Sequence, residues 1–235
     1  MPVEYASEID QPRMRVRRVG DVWSLMTTEY GAHHSCLVLL RDRLDGDFNA
    51  LARRLGGIYI DHGYCEAEEK QLYNLRPAIP RDERVALDAI LHDMENIRAA
   101  EPGRRVKLRV RPVCDGVDAD FNFHPDGSKS LPYVDQLLCN YNNPRTEWIC
   151  YDDVETGRAK EDDGLSDTFR KKAHSKIYIF PVGTIWRHSC LMKGEGVDEP
   201  VPFIHRAPYM APDSPPRLIL AAFSTKRASS SPGYR

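Results

Sequence analysis

Long apolar runs are missing from this chain: no stretch of its 235 residues approaches the roughly 20 apolar residues a membrane helix needs. The opening MPVEYASEIDQPRMRVRR is charged and lacks the apolar middle of a secretory signal, so the cytosol is the expected location. An excess of one charge is missing too. With 33 basic and 35 acidic residues interspersed to a net charge of −2, the broad electropositive surface that duplex nucleic acid requires is not expected. Neither a nucleic acid nor a membrane is therefore an expected partner, which leaves a small-molecule substrate. The 6 cysteines, Cys36, Cys65, Cys114, Cys139, Cys150 and Cys190, never form a C-x-x-C pair. A zinc knot and a disulfide framework are both disfavoured, and the thiols are read as free. No internal repeat is visible.

What the chain does contain divides near residue 105. Before it, CLVLLRD (Cys36 to Asp42) reads as a strand, and Asp47 can cap a helix that Gly56-Gly57 would end. IPRDERVALDAILHDMENIRAAEPG carries Val85, Leu87, Ile90, Leu91, Met94 and Ile97 at helical spacing and ends on a Pro-Gly stop. From Val106 onward the signal is short β runs broken by turn residues: VKLRVRPV, ADFNFH, VDQLLCNY, TEWIC, KIYIFP, TIWRHSC, PFIHRA and RLILAAFS. Eight strands are the number of a jelly roll. The expected fold is mainly β with N-terminal α/β additions. Residues 1–105 form an extension packed on a core at 106–224, and 225–235 form a disordered tail. The charged segment at 152–174 is expected to be a surface excursion or lid.

The second of these strands places Asp120, Asn122 and His124 on one face and Phe121 and Phe123 on the other, as a strand beside a polar lumen or an edge strand would. His124-Pro125-Asp126 ends it. Two donors one residue apart can bite a single metal, and imidazole with carboxylate suits iron(II) with open positions; a turn with a hydrogen-bonded histidine fits the same three residues. A third donor is sought downstream, where His205 in FIHRAP is preferred over His188 in TIWRHSC. His174 sits among charges and should be solvated, and His33-His34 precede the β region. Twelve residues beyond His205, Arg217 opens an apolar strand and requires an anion, either a ligand's or one of the protein's own acids.

His124-x-Asp126, then His205, then Arg217, in order along an eight-strand series, resembles the iron(II)/2-oxoglutarate-dependent dioxygenase superfamily over about residues 106–224. The resemblance implies a double-stranded β-helix of cupin-like type, with His124, Asp126 and His205 as both metal ligands and catalytic centre. It implies that Arg217 salt-bridges the far carboxylate of 2-oxoglutarate, with Asn140 and Tyr141 as further cosubstrate contacts. Iron(II), 2-oxoglutarate and O2 are the implied cofactors, ascorbate an activator that keeps the iron reduced. The implied reaction is hydroxylation, desaturation or cyclisation of a small molecule, such as an amino acid or biosynthetic intermediate. Two other readings stay open at this stage: a cupin-like metalloenzyme that binds substrate without 2-oxoglutarate, and a metal-free jelly-roll binding module. The remaining polar and aromatic residues of this region, Arg145, Arg206 and Trp148, are expected to be two surface charges and a core side chain.

Overall fold

A computed structural model describes residues 2–5, 14–30, 34–59, 65–112, 123–126, 135–161, 164–190, 202–211 and 213–224. Its first hundred residues supply β1 (Val3–Glu4), β2 (Val16–Arg18), α1 (Val22–Thr27), β3 (Cys36–Leu39), α2 (Phe48–Tyr59), β4 (Cys65–Ala67), α3 (Glu69–Leu75) and α4 (Arg81–Ala100). The remainder is β: β5 (Arg105–Arg111), β6 (His124–Pro125), β7 (Asp135–Asn140), β8 (Glu147–Ile149), β9 (Val154–Glu161), β10 (Gly164–Lys171), β11 (Tyr178–Ile179), β12 (Ile185–Ser189), β13 (Ile204–Arg206) and β14 (Arg217–Phe223). Among the described residues, no helix is long and apolar enough to cross a membrane.

Hydrogen bonding joins the strands into a seven-stranded sheet of order β2-β3-β12-β7-β14-β5-β4 and a five-stranded sheet of order β1-β11-β8-β13-β6. Most pairs are antiparallel; β1 with β11 and β2 with β3 are parallel. Each strand predicted after Val106 has an observed counterpart, although residues 113, 119–122 and 134 of those predictions lie outside the described residues, as do Cys114 and the tail at 225–235. From β5 to β14 the chain passes back and forth between the two sheets, except that β8 and β11, on either side of the β9–β10 ribbon, both lie in the small one. β5, β7, β12 and β14 belong to the large sheet and β6, β8, β11 and β13 to the small one.

Side-chain alternation gives the large sheet two different faces. Leu37 and Leu39 of β3, Leu108 and Val110 of β5, Leu137 and Cys139 of β7, and Leu218, Leu220 and Ala222 of β14 point to one side. There they pack on Leu51 and Leu55 of α2 and on Leu87, Ile90, Leu91 and Met94 of α4, which recur at helical spacing. Burying one such leucine contributes about 1.5–3 kcal/mol. The opposite face meets the small sheet through Val38, Leu138, Trp186, Ile219 and Ala221, against Trp148, Tyr178 and Phe203. Cys36, Cys139, Cys150 and Cys190 are buried thiols, in keeping with their reading from the sequence.

One sequence expectation changes. Gly56-Gly57 do not end α2, which runs on to Tyr59. Glycine costs a helix about 1 kcal/mol but stops it only when it turns left-handed, and neither is among the positive-φ glycines. Gly46 is, at φ 106°, and a Cβ there would lie 2.4 Å from the Ala86 backbone nitrogen; it lets the loop before α2 press on α4. The charged segment at 152–174 is a regular antiparallel ribbon of β9 with β10. It is anchored on the outer face of the small sheet, where Val154 and Phe169 pack with Phe123, Ile149 and Ile204.

Candidate metal centre

The small sheet positions the predicted donors through register. β6 and β13 are antiparallel with His124 directly opposite His205, and directly opposed residues project to the same face. Asp126, two residues beyond His124, returns to that face. One donor atom from each of His124, Asp126 and His205 lies within 4.8 Å of the other two. Asp126 Oδ2 is 3.4 Å from His205 Nε2, and Asp126 Oδ1 is 4.0 Å from His124 Nε2. His205 is buried; His124 and Asp126 are half-buried. Two imidazoles and one carboxylate at this spacing are a donor set for a first-row divalent metal, and three protein donors leave positions open for other ligands.

His188, the rival for the third position, also belongs to the site. It comes from β12 on the facing sheet, is fully buried, and donates from Nε2 to Asp126 Oδ2 at 3.0 Å. Its ring lies 5.1 Å from that of His205, and its Nδ1 has no hydrogen-bond partner among the described residues. Burial disfavours ionisation of Asp126, but His205 and His188 override it and hold the carboxyl well below its usual range. Burial lowers the His188 pKa, an effect that Asp126 partly offsets.

Arg217 opens β14 on the sandwich-facing side of the large sheet. It is buried and donates to Pro144 O at 3.1 Å, Thr146 Oγ1 at 2.8 Å and Asn140 Oδ1 at 3.2 Å, all neutral oxygens. A cavity of about 220 Å³ unites these groups: His124, Asp126 and His205 line it together with Arg217, Thr146, Arg109 and Arg111. Asn140 thus reaches the cavity indirectly, as a partner of Arg217.

Tyr141 is placed elsewhere. One residue further along than Asn140, it faces the helices, donates to Asp93 Oδ2 at 2.6 Å and stacks on Phe48. There it borders a second cleft of about 1120 Å³ beside α2 and α4 rather than the cavity of the histidines. A cosubstrate contact from its hydroxyl is not what this geometry provides, because strand alternation turns it away. Trp148 is core, as expected, stacked on Tyr178 and Phe180. Arg145 bonds Glu4 and the Phe180 carbonyl, and Arg206 pairs with Glu147 at 2.7 Å on the outer face, so neither is a freely solvated charge. His174 is exposed, as expected, and His34 half-buried, while His33 lies outside the described residues.

Sequence reasoning passed over Arg109, Arg111 and Thr146. The available signal was VKLRVR itself, where every second residue is basic and the others apolar.

No family model matches the chain, and no curated protein does. Among solved structures it is similar to a Shewanella oneidensis protein named only provisionally as an oxygenase, at 13% identity over 88% of each chain with a TM-score of 0.34. It is also similar to a Pseudomonas putida prolyl-4-hydroxylase, at 12% identity over 83% of this chain and 99% of the other, with a TM-score of 0.25. Likenesses this faint fix neither fold nor chemistry, which rest on the residues themselves.

Proposed function

We propose that this chain is a non-haem iron(II) oxygenase dependent on 2-oxoglutarate, acting on a small molecule such as an amino acid or biosynthetic intermediate. One observation carries the reading: His124, Asp126, His205 and Arg217 line a single cavity, although three strands of two sheets deliver them. The donor set fits a ferrous ion by its chemistry, two imidazoles and a carboxylate with positions left open. Iron held there would supply oxygen activation coupled to oxidative decarboxylation of 2-oxoglutarate. The division of β5, β7, β12 and β14 to one sheet and β6, β8, β11 and β13 to the facing one supports a double-stranded β-helix over about 106–224, with residues 1–105 as its buttress.

In this reading His124, Asp126 and His205 fix the metal on one face. Arg217, with Thr146 beside it, receives the far carboxylate of the cosubstrate. The Arg217 fork is held by Asn140 and the Pro144 carbonyl before any ligand arrives, so little side-chain entropy is lost on binding. The buried walls exclude water and orient the bond to be oxidised. Adding iron(II) and then 2-oxoglutarate without oxygen should produce the weak visible charge-transfer band of a chelated 2-oxo acid. A protein that binds iron but yields no band with 2-oxoglutarate refutes the cosubstrate assignment.

A metalloenzyme that takes its substrate directly is the second reading. His188 favours it, since a buried imidazole 3.0 Å from Asp126 is close enough to serve as a fourth donor after a small shift.

A further inference from the structure

The strand that delivers His124 and Asp126 is poorly held by its own sheet. β6 stands last in the order β1-β11-β8-β13-β6 and pairs with β13 through two residues, one of which, Pro125, has no N–H to give. Yet His124 and Asp126 must stand at a fixed reach from His205 across that short ladder. Metal donors bind tightly only when their supports leave them little play, so whatever else grips this segment bears on the site.

The ribbon of β9 and β10 supplies a grip. Phe123, immediately before His124, forms an isolated antiparallel bridge with Phe169 of β10. Residues so opposed project to the same side, and alternation makes it the outer face, away from the donors. There Phe123, Ile149, Val154 and Ile204 are buried together with Phe169 packed against them. The cluster joins both strands of the ribbon to β8, to β13 and to the residue that leads into β6. The Arg206 guanidinium lies over the Phe123 ring at 4.5 Å and pairs with Glu147 at 2.7 Å. Ile204 and Arg206 flank His205 as Phe123 and Pro125 flank His124, so this outer packing bears on the backs of both donor strands.

We propose that the ribbon is a clamp on the donor segment, with Phe169 a positioning residue that holds His124 and Asp126 at metal-binding reach of His205. This rests on the assignment of those three residues as metal donors. Phe169 lies on the outer face and acts on the metal only through Phe123 and its neighbours.

The test titrates the full-length protein with cobalt(II) in competition with a coloured chelator and records the ligand-field spectrum at saturation. Phe169→Ala should weaken cobalt binding about tenfold or more and change the spectrum, as loss of an outer support does for a metal ligand. Leu220→Ala, buried on the helix-facing side of the large sheet, controls for general destabilisation. It should lower the melting temperature while cobalt affinity and spectrum stay those of the wild type. Should Phe169→Ala not fold, Phe169→Val takes its place, with a loss of several-fold expected. Wild-type affinity and spectrum in the folded truncation, or a loss matched by Leu220→Ala, overturns the proposal. Wild-type protein that takes up no cobalt sinks the metal assignment instead, and the clamp is then decided in the metal-free protein by NMR. The truncation at Phe169 should shift the imidazole resonances of His124 and His205 and leave those of exposed His92 on α4 in place. Unmoved His124 and His205 resonances overturn the clamp.

Discussion

The two faces of the seven-stranded sheet are made by the same strands and serve opposite ends. The helix-facing side carries Leu108, Val110, Leu137, Leu218 and Leu220, and its buried polar groups are tied to one another: Asp93 takes Arg41 at 2.5 Å and Tyr141 at 2.6 Å. The sandwich-facing side carries Trp186, Leu138 and Ala221 in one row, with Arg109, Arg111 and Arg217 toward one end of the strands and His188 toward the other. A buried charge is tolerated where the protein itself supplies the counter-charge, as on the first face. On the second, Arg109, Arg111 and Arg217 line a cavity together with the candidate donors His124, Asp126 and His205. On the reading proposed above the first face serves stability and the second ligands, so substitutions on each should register in different measurements.

The largest effect is expected at the donors. His124→Ala, Asp126→Ala and His205→Ala should each abolish turnover and sharply weaken iron binding, as read by metal content after dialysis. If His205→Ala keeps iron and activity while His188→Ala loses both, the third donor is His188. Next comes Arg217→Met, which should cost about 2–5 kcal/mol of cosubstrate affinity, roughly thirty-fold to several thousand-fold, with iron occupancy unchanged. A lowered melting temperature with unaltered cosubstrate affinity would reduce Arg217 to a structural role.

Leu220→Ala, three residues along the same strand but on the opposite face, should reverse that pattern. Leu220 is fully buried against the helices, so the substitution should cost about 2–5 kcal/mol of stability. Iron and cosubstrate affinity, measured below the new melting temperature, should stay within a few-fold. A large loss of either would mean that the two faces are not independent. His188→Gln should lower metal affinity about 10–100-fold, because it removes the donor that orients Asp126. Competition with a coloured chelator measures this, and unchanged affinity would leave His188 with packing alone.

Much of this division was legible in particular residues. The alternation in VKLRVR separates an apolar face from a basic one, and the order of His124, Asp126, His205 and Arg217 along the strand series is matched by their meeting at one cavity. Other features were not legible, for physical reasons. In VDQLLCNY both faces are substantially apolar, so nothing local says which parity faces the helices, and Asn140 and Tyr141 read alike until the sheet is assembled. The contact of His188 with Asp126 joins two sheets across 62 residues of chain, which no spacing rule reaches. The ribbon of β9 and β10 is polar along most of its length and lacks the two-residue apolar alternation that marks a half-buried strand.

Tyr141→Phe is the smallest and most exacting of these changes. The substitution removes one hydroxyl, whose 2.6 Å bond to Asp93 is shared with the 2.5 Å bond from Arg41. Burial raises the phenol pKa well above its ordinary value, with Asp93 adding to the effect, so the group acts as a neutral donor to a buried carboxylate. Asp93 keeps its guanidinium partner in the variant, so the loss should be that of one charge-assisted hydrogen bond, about 1–2 kcal/mol of stability. Cosubstrate affinity should not move, because the ring faces the helices while the neighbouring Asn140 braces Arg217 on the other side. Denaturant melts and cosubstrate titration on the same preparation separate the two quantities. A tenfold loss of cosubstrate affinity at unchanged stability would put the hydroxyl in the cosubstrate site after all, and would mean that β7 presents Tyr141 to the cavity when ligand is bound.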